Sequence, residues 1–151
     1  MDKPWLRLLI AVAVVAIMQI SCGQQSTRVS QTGYSMEPNF HDGDIFRVET
    51  IPLADLQRGD LIVVEHDGNL LLKRLIGLPN ETVAIRDGIV YINGSALDEP
   101  YDVVPATYTM DDVQLDNDSY FILGDNRPDS IDSHQLGPIK GNAIKGKATP
   151  E

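Results

Sequence analysis

Leu61-Ile62-Val63-Val64-Glu65-His66-Asp67-Gly68-Asn69-Leu70-Leu71-Leu72-Lys73-Arg74-Leu75-Ile76 decides how this chain folds. Two short apolar runs meet at Asp67-Gly68-Asn69, a strong signal for a β-hairpin. The same grammar continues on both sides. Ile45 to Glu49 alternates apolar and polar residues. Thr82 to Arg86 and Ile89 to Ile92 flank Asp87-Gly88, a second hairpin, and Asn93-Gly94 marks another turn. Tyr120 to Leu123 is a further strand, ended by Gly124-Asp125. Outside the amino terminus no apolar period of 3.6 residues is found. The pattern predicts a mostly β, antiparallel domain over residues 33–151, its strands curling into a barrel or forming two packed sheets.

Within the hairpin, one residue does not fit a core strand. Side chains alternate across a strand. Leu71, Lys73 and Leu75 therefore share one face, and Leu70, Leu72, Arg74 and Ile76 share the other. Lys73 is flanked by leucines, and an apolar surround disfavours its ammonium, lowers its pKa and suits it to act as a base. The plain alternative is an edge-strand lysine reaching to solvent. A base needs a nucleophile, and Ser35 is the candidate. It lies in Thr32-Gly33-Tyr34-Ser35-Met36-Glu37-Pro38, where Gly33 permits a tight backbone and Pro38 stiffens the loop on its far side. Such a loop presents a hydroxyl and the Ser35 N–H together, and that N–H can stabilise an oxyanion. Read alone, it is any loop serine. None of the three histidines, His41, His66 and His134, sits in a histidine-type protease motif.

The 151 residues suffice for one domain with a core. Lys and Arg total 12 against 22 Asp and Glu, a net charge of -10, which argues against nucleic acid as a partner. Cys22 is the only cysteine, so neither an internal disulfide nor a multi-cysteine zinc site can form. Asp125 to Asp132 is rich in aspartate but lacks the ligand spacing and turn glycine of a calcium loop. No metal and no cofactor is expected.

Residues 8–18, Leu-Leu-Ile-Ala-Val-Ala-Val-Val-Ala-Ile-Met, carry no charge and lie after Lys3 and Arg7. A run apolar all round is directed to a membrane, and the basic flank keeps its start in the cytoplasm. Residues 1–22 therefore read as a membrane helix or signal segment, and membrane lipid as a partner. Two fates remain: an uncleaved single-pass anchor, or a lipoprotein signal processed at Ser21-Cys22-Gly23 and lipidated on Cys22. Both put the body of the chain on the extracytoplasmic side. Residues 23–32, polar and rich in Gly, Gln, Ser and Thr, read as a tether.

Four ordered motifs then carry a resemblance. Ser35-Met36-Glu37-Pro38, Arg58-Gly59-Asp60-Leu61-Ile62-Val63, Lys73-Arg74-Leu75-Ile76-Gly77-Leu78-Pro79 and Gly124-Asp125-Asn126-Arg127 with Ser130 and Asp132-Ser133 resemble the type I signal peptidases, in the same order. The resemblance implies a membrane-bound Ser/Lys serine endopeptidase that cuts signal peptides from exported preproteins. It makes Ser35 the nucleophile and Lys73 the general base. It makes Ser130 the serine that hydrogen-bonds and orients the lysine amine. Arg127 and Asp132 match a structural ion pair, and Asp125 a carboxylate that pairs with Arg74. Met36, Leu71 and Leu72 are candidate walls of the substrate pocket. Three positions depart from the family pattern: Asn39 in place of threonine or serine, His134 in place of arginine, and Gly33 where some members carry an oxyanion-hole serine. Two rival readings stand beside this one, the first sharing the chemistry and the second the fold. One is a self-cleaving Ser/Lys protease of the repressor type, and the other is a catalytically silent, lipid-anchored binding domain.

Overall fold

The computed structural model describes residues 26–151. The apolar segment, Cys22 and both fates assigned to them lie outside the described residues. Among these residues eleven strands succeed one another: β1 (Ser26–Ser30), β2 (Ile45–Glu49), β3 (Leu61–His66), β4 (Asn69–Gly77), β5 (Thr82–Arg86), β6 (Ile89–Ile92), β7 (Ser95–Ala96), β8 (Met110–Gln114), β9 (Ser119–Leu123), β10 (Ile139–Lys140) and β11 (Ile144–Pro150). One short α-helix, α1 (Ser133–Leu136), precedes β10.

The hairpin around Asp67-Gly68 forms in register. His66 faces Asn69, and Leu61 faces Arg74 at the far end of the β3–β4 ladder. Asp67 and Gly68 both take positive φ, 48° and 77°. That pair of left-handed residues defines the turn whose twist matches the flanking strands. Asp87-Gly88 and Asn93-Gly94 repeat the geometry.

Two antiparallel sheets result, in the orders β1-β2-β11-β3-β4-β9-β10 and β7-β6-β5-β8. No ladder joins the outer strands of either sheet, so the expected barrel does not close; the two-sheet alternative is the one that forms. Alternation along β3 sends Leu61 and Val63 into a cluster with Met36, Phe46 and Leu72. Ile62 and Val64 enter a second cluster with Leu75 and Ile122. A third cluster, with Ile76, Phe121 and Leu123 against Val83, Ile85 and Val90, packs the end of β4 and β9 onto the four-stranded sheet. Both faces of the β3–β4 hairpin are thus covered.

The tether is shorter than its composition suggests. Ser26–Ser30 pairs residue by residue with β2, from Ser26 opposite Glu49 to Ser30 opposite Ile45. Its residues are polar because β1 is an outer strand held mainly by backbone ladder bonds; Val29 alone packs on the core.

Candidate active site

β4 sets the position of Lys73. On one side Lys73 faces Ile62 of β3. On the other, β9 pairs with β4 only from Arg74 onward, which leaves the edge around Leu71 and Lys73 without a strand neighbour. The Ser35 loop closes over this gap. Met36 is fully buried beside Phe46, Val63 and Leu72 and anchors the loop to the core. The Asn126 N–H donates to the Ser35 carbonyl at 3.0 Å, and the Asn126 side chain donates to the Tyr34 carbonyl at 3.2 Å.

Lys73 Nζ and Ser35 Oγ then stand 2.8 Å apart. Lys73 is 4% exposed. Its amine also donates to the Leu72 carbonyl at 2.9 Å. In the neutral form the amine can donate to Leu72 and turn its lone pair toward the hydroxyl. Burial lowers the Lys73 pKa from 10.5 to about 8, with the negative charges of Asp132 and then Asp125 acting in the opposite direction. Among the described residues the Ser35 N–H has no hydrogen-bond partner. The arrangement can therefore remove a proton from a serine hydroxyl and offer a backbone donor to the oxygen that becomes charged.

The charged residues around this pair are only partly as the motifs suggest. Arg74 and Asp125 do pair, Nε to Oδ1 at 2.7 Å and Nη2 to Oδ2 at 2.5 Å. The Arg74 guanidinium also donates to the Gly59 carbonyl and lies 3.8 Å from the centre of the Tyr101 ring. Asn39 joins them, donating to Asp125 Oδ2 at 2.8 Å and to the Asp102 carbonyl at 2.7 Å. The expected Arg127–Asp132 ion pair is absent from the bonds formed. Arg127 is fully buried, gives its Nε to the Gly124 carbonyl and turns both terminal nitrogens to Glu99. Asp132 is engaged elsewhere. It accepts from the Gly124 N–H at 2.8 Å, caps α1 through the His134 N–H, and meets His134 Nδ1 at 2.7 Å. His134 also stacks on Tyr108.

Two further expectations change. Ser130 Oγ is buried and makes no hydrogen bond, to Lys73 or to any other described residue. Met36 is core, not pocket wall, because the residue after Ser35 points inward. Sequence reasoning missed Gln31, Glu99 and Tyr101. Gln31 lies in the stretch that reads as tether, and nothing local marks Glu99 or Tyr101 as partners of distant arginines.

Residues 3–150 match the protein family described as signal peptidase, peptidase S26. The chain belongs to this signal peptidase family. It is 34% identical, over 97% of its length and 72% of the relative's, to a probable signal peptidase I-2 from Synechocystis sp.. It is 33% identical, over 94% of its length and 83% of the relative's, to signal peptidase I from Bacillus licheniformis. A crystal structure of a signal peptidase I from Enterococcus faecalis V583 superposes with a TM-score of 0.56 at 34% identity, covering 63% of this chain and 97% of the other.

In this member of the signal peptidase family, two cavities flank the serine and lysine. One, of about 80 Å³, is bounded by Val29, Gln31, Val63, Leu71 and Leu72 together with the Ser35–Lys73 pair. The other, of about 420 Å³, is more open and runs past Tyr34, Leu71, Ser130 and Ile131. Leu71 borders both, and Leu72 borders the smaller.

Proposed function

We propose that this chain is a signal peptidase I, a serine endopeptidase that cleaves signal peptides from exported preproteins with Ser35 as nucleophile and Lys73 as general base. The observation that carries the reading is the 2.8 Å contact between Ser35 Oγ and a lysine amine shielded from water. Neutral Lys73 takes the Ser35 proton as Ser35 attacks the scissile carbonyl. The Ser35 N–H faces the oxyanion. Lys73 passes the proton to the leaving amine, then activates the water that releases the acyl chain. The open edge of β4 suits an extended substrate, which gains main-chain hydrogen bonds there. Small side chains such as alanine occupy shallow pockets near the cut. Arg74, Asp125, Arg127 and Asp132 hold the frame and do no chemistry. Residues 1–22 attach the enzyme to membrane lipid, with the catalytic domain on the extracytoplasmic side, either as a single-pass anchor or through lipidated Cys22.

The test is cleavage of a labelled preprotein by the detergent-solubilised full chain. Ser35→Ala and Lys73→Ala are each expected to abolish product while leaving the circular-dichroism spectrum unchanged. Cleavage retained by either variant ends this mechanism.

A further inference from the structure

The smaller cavity beside Ser35 is bordered by three polar residues that the reaction does not use, Ser30, Gln31 and Thr32, and of these only Gln31 is buried. Gln31 is 4% exposed, and its backbone is held on both sides, its N–H by the Asp44 carbonyl and its carbonyl by the Gly43 N–H. Its carboxamide nitrogen sits among the Thr32 carbonyl at 3.3 Å, the Gly33 carbonyl at 3.3 Å and Ser35 Oγ at 3.5 Å. Only the nitrogen end of the amide can donate to these two backbone carbonyls, so they fix which end points where. The oxygen end is left over. Gln31 Oε1 makes no hydrogen bond among the described residues, yet it is not one of the sealed, unpaired polar atoms. It therefore keeps accessible surface in a residue that borders the cavity. A nearly buried acceptor beside apolar walls (Val29, Val63, Leu71 and Leu72) favours a ligand that can donate to it.

Position and relative size narrow what that ligand is. Of the two cavities bordering the Ser35–Lys73 pair this is the smaller, about 80 Å³ against about 420 Å³, and it suits a small side chain that carries a donor. We propose that Gln31 selects for a serine side chain, whose hydroxyl donates to Oε1, at the substrate residue whose carbonyl Ser35 attacks. The inference rests on the signal peptidase reading above and adds a hydrogen-bonding preference to its preference for small residues.

Three peptides test it, identical except for serine, alanine or 2-aminobutyrate immediately before the cleaved bond. 2-Aminobutyrate matches serine in size and lacks the hydroxyl, so the serine to 2-aminobutyrate ratio of kcat/KM isolates the hydrogen bond. The full chain in detergent is expected to favour serine about tenfold over 2-aminobutyrate, and Gln31→Leu to bring that ratio to about one. Because the ratio is read within each enzyme, a general loss of activity in the variant cancels. Should Gln31→Leu fail to fold, the unsubstituted enzyme still decides: equal rates on serine and 2-aminobutyrate, or a preference for the latter, overturn the proposal. A ratio unchanged by Gln31→Leu overturns it as well. Failure of the unsubstituted enzyme to cut any of the three, alanine included, strikes the signal peptidase reading instead.

Discussion

Lys73 is held in the fold at a cost to stability. An ammonium in water titrates near 10.5, and burial brings this one to about 8. The folded state therefore binds its proton less tightly than the unfolded chain does. The resulting penalty is present in full below pH 8, shrinks as pH rises from 8 to 10.5, and is gone above. A shift of this size corresponds to about 3 kcal/mol. Lys73→Met, which keeps the volume and removes the charge, is expected to raise the stability measured by urea unfolding at pH 7 by about 1–3 kcal/mol, with the gain fading toward pH 10.5, while cleavage is lost. A variant less stable than the parent at both pH values would show that the buried amine is not a burden. The same titration governs the proposed chemistry. Since only the neutral amine accepts the Ser35 proton, kcat/KM is expected to climb through pH 8 and to fall about tenfold per unit below it. A flat profile between pH 6 and 8 would remove Lys73 from the role of base. The depressed lysine was legible from the leucines around it. The orientation of Met36 was not, because a loop gives no alternation from which to infer which side faces the core.

At the level of elements, the site depends on a close approach where β9 ends. A Cβ on Gly124 would overlap Ser130 Oγ and the Ser35 carbonyl oxygen, and would lie 2.6 Å from Ser130 Cβ. Its backbone is not in the left-handed region, so the demand for glycine here is steric and not conformational. Gly124→Ala must push the Ser35 loop away from the Ser130 segment. The expected outcome is a loss of about 1–3 kcal/mol in unfolding free energy. A fall of about a hundredfold in kcat/KM should accompany it, since small misplacement of reacting groups is amplified in rate. Retained activity would mean that the two segments can separate without disturbing Ser35 and Lys73. Strands joined by Asp-Gly or Asn-Gly were readable, because turn chemistry and apolar content coincide there. β8 (Met-Asp-Asp-Val-Gln) and β11 (Ile-Lys-Gly-Lys-Ala-Thr-Pro) were not. β8 buries no residue and β11 buries only Gly146 and Ala148, and they are held by ladder bonds to β5, and to β2 and β3. Such strands leave little trace in hydropathy. The Arg127–Glu99 pair was hidden for a related reason, since its two residues come from segments with no common pattern.

Across the whole molecule, β1 leads into the groove beside Ser35 and Lys73. Its five ladder positions complete the seven-stranded sheet, and Val29 packs on the core cluster that also anchors Met36. Residues 29–32 then form one wall of the small cavity, opposite Leu70, Leu71 and Leu72. Sequence composition placed the domain boundary after residue 32, but the hydrogen bonds place residues 26–32 inside the folded unit. A chain beginning at residue 26 keeps every ladder and is expected to fold and to cleave a soluble peptide without membrane. A chain beginning at residue 33 loses the strand, the wall and the Gln31 anchor between the Asp44 carbonyl and the Gly43 N–H. It exposes the edge of β2, which invites association between chains. It is expected to melt several degrees lower and to lose at least a hundredfold in kcat/KM on the same peptide, as read by thermal unfolding and peptide turnover side by side. Equal activity from the two truncations would return residues 26–32 to the status of a spacer. A deficit confined to the shorter chain would mean that residues 26–32 are a structural part of the groove beside Ser35 and Lys73.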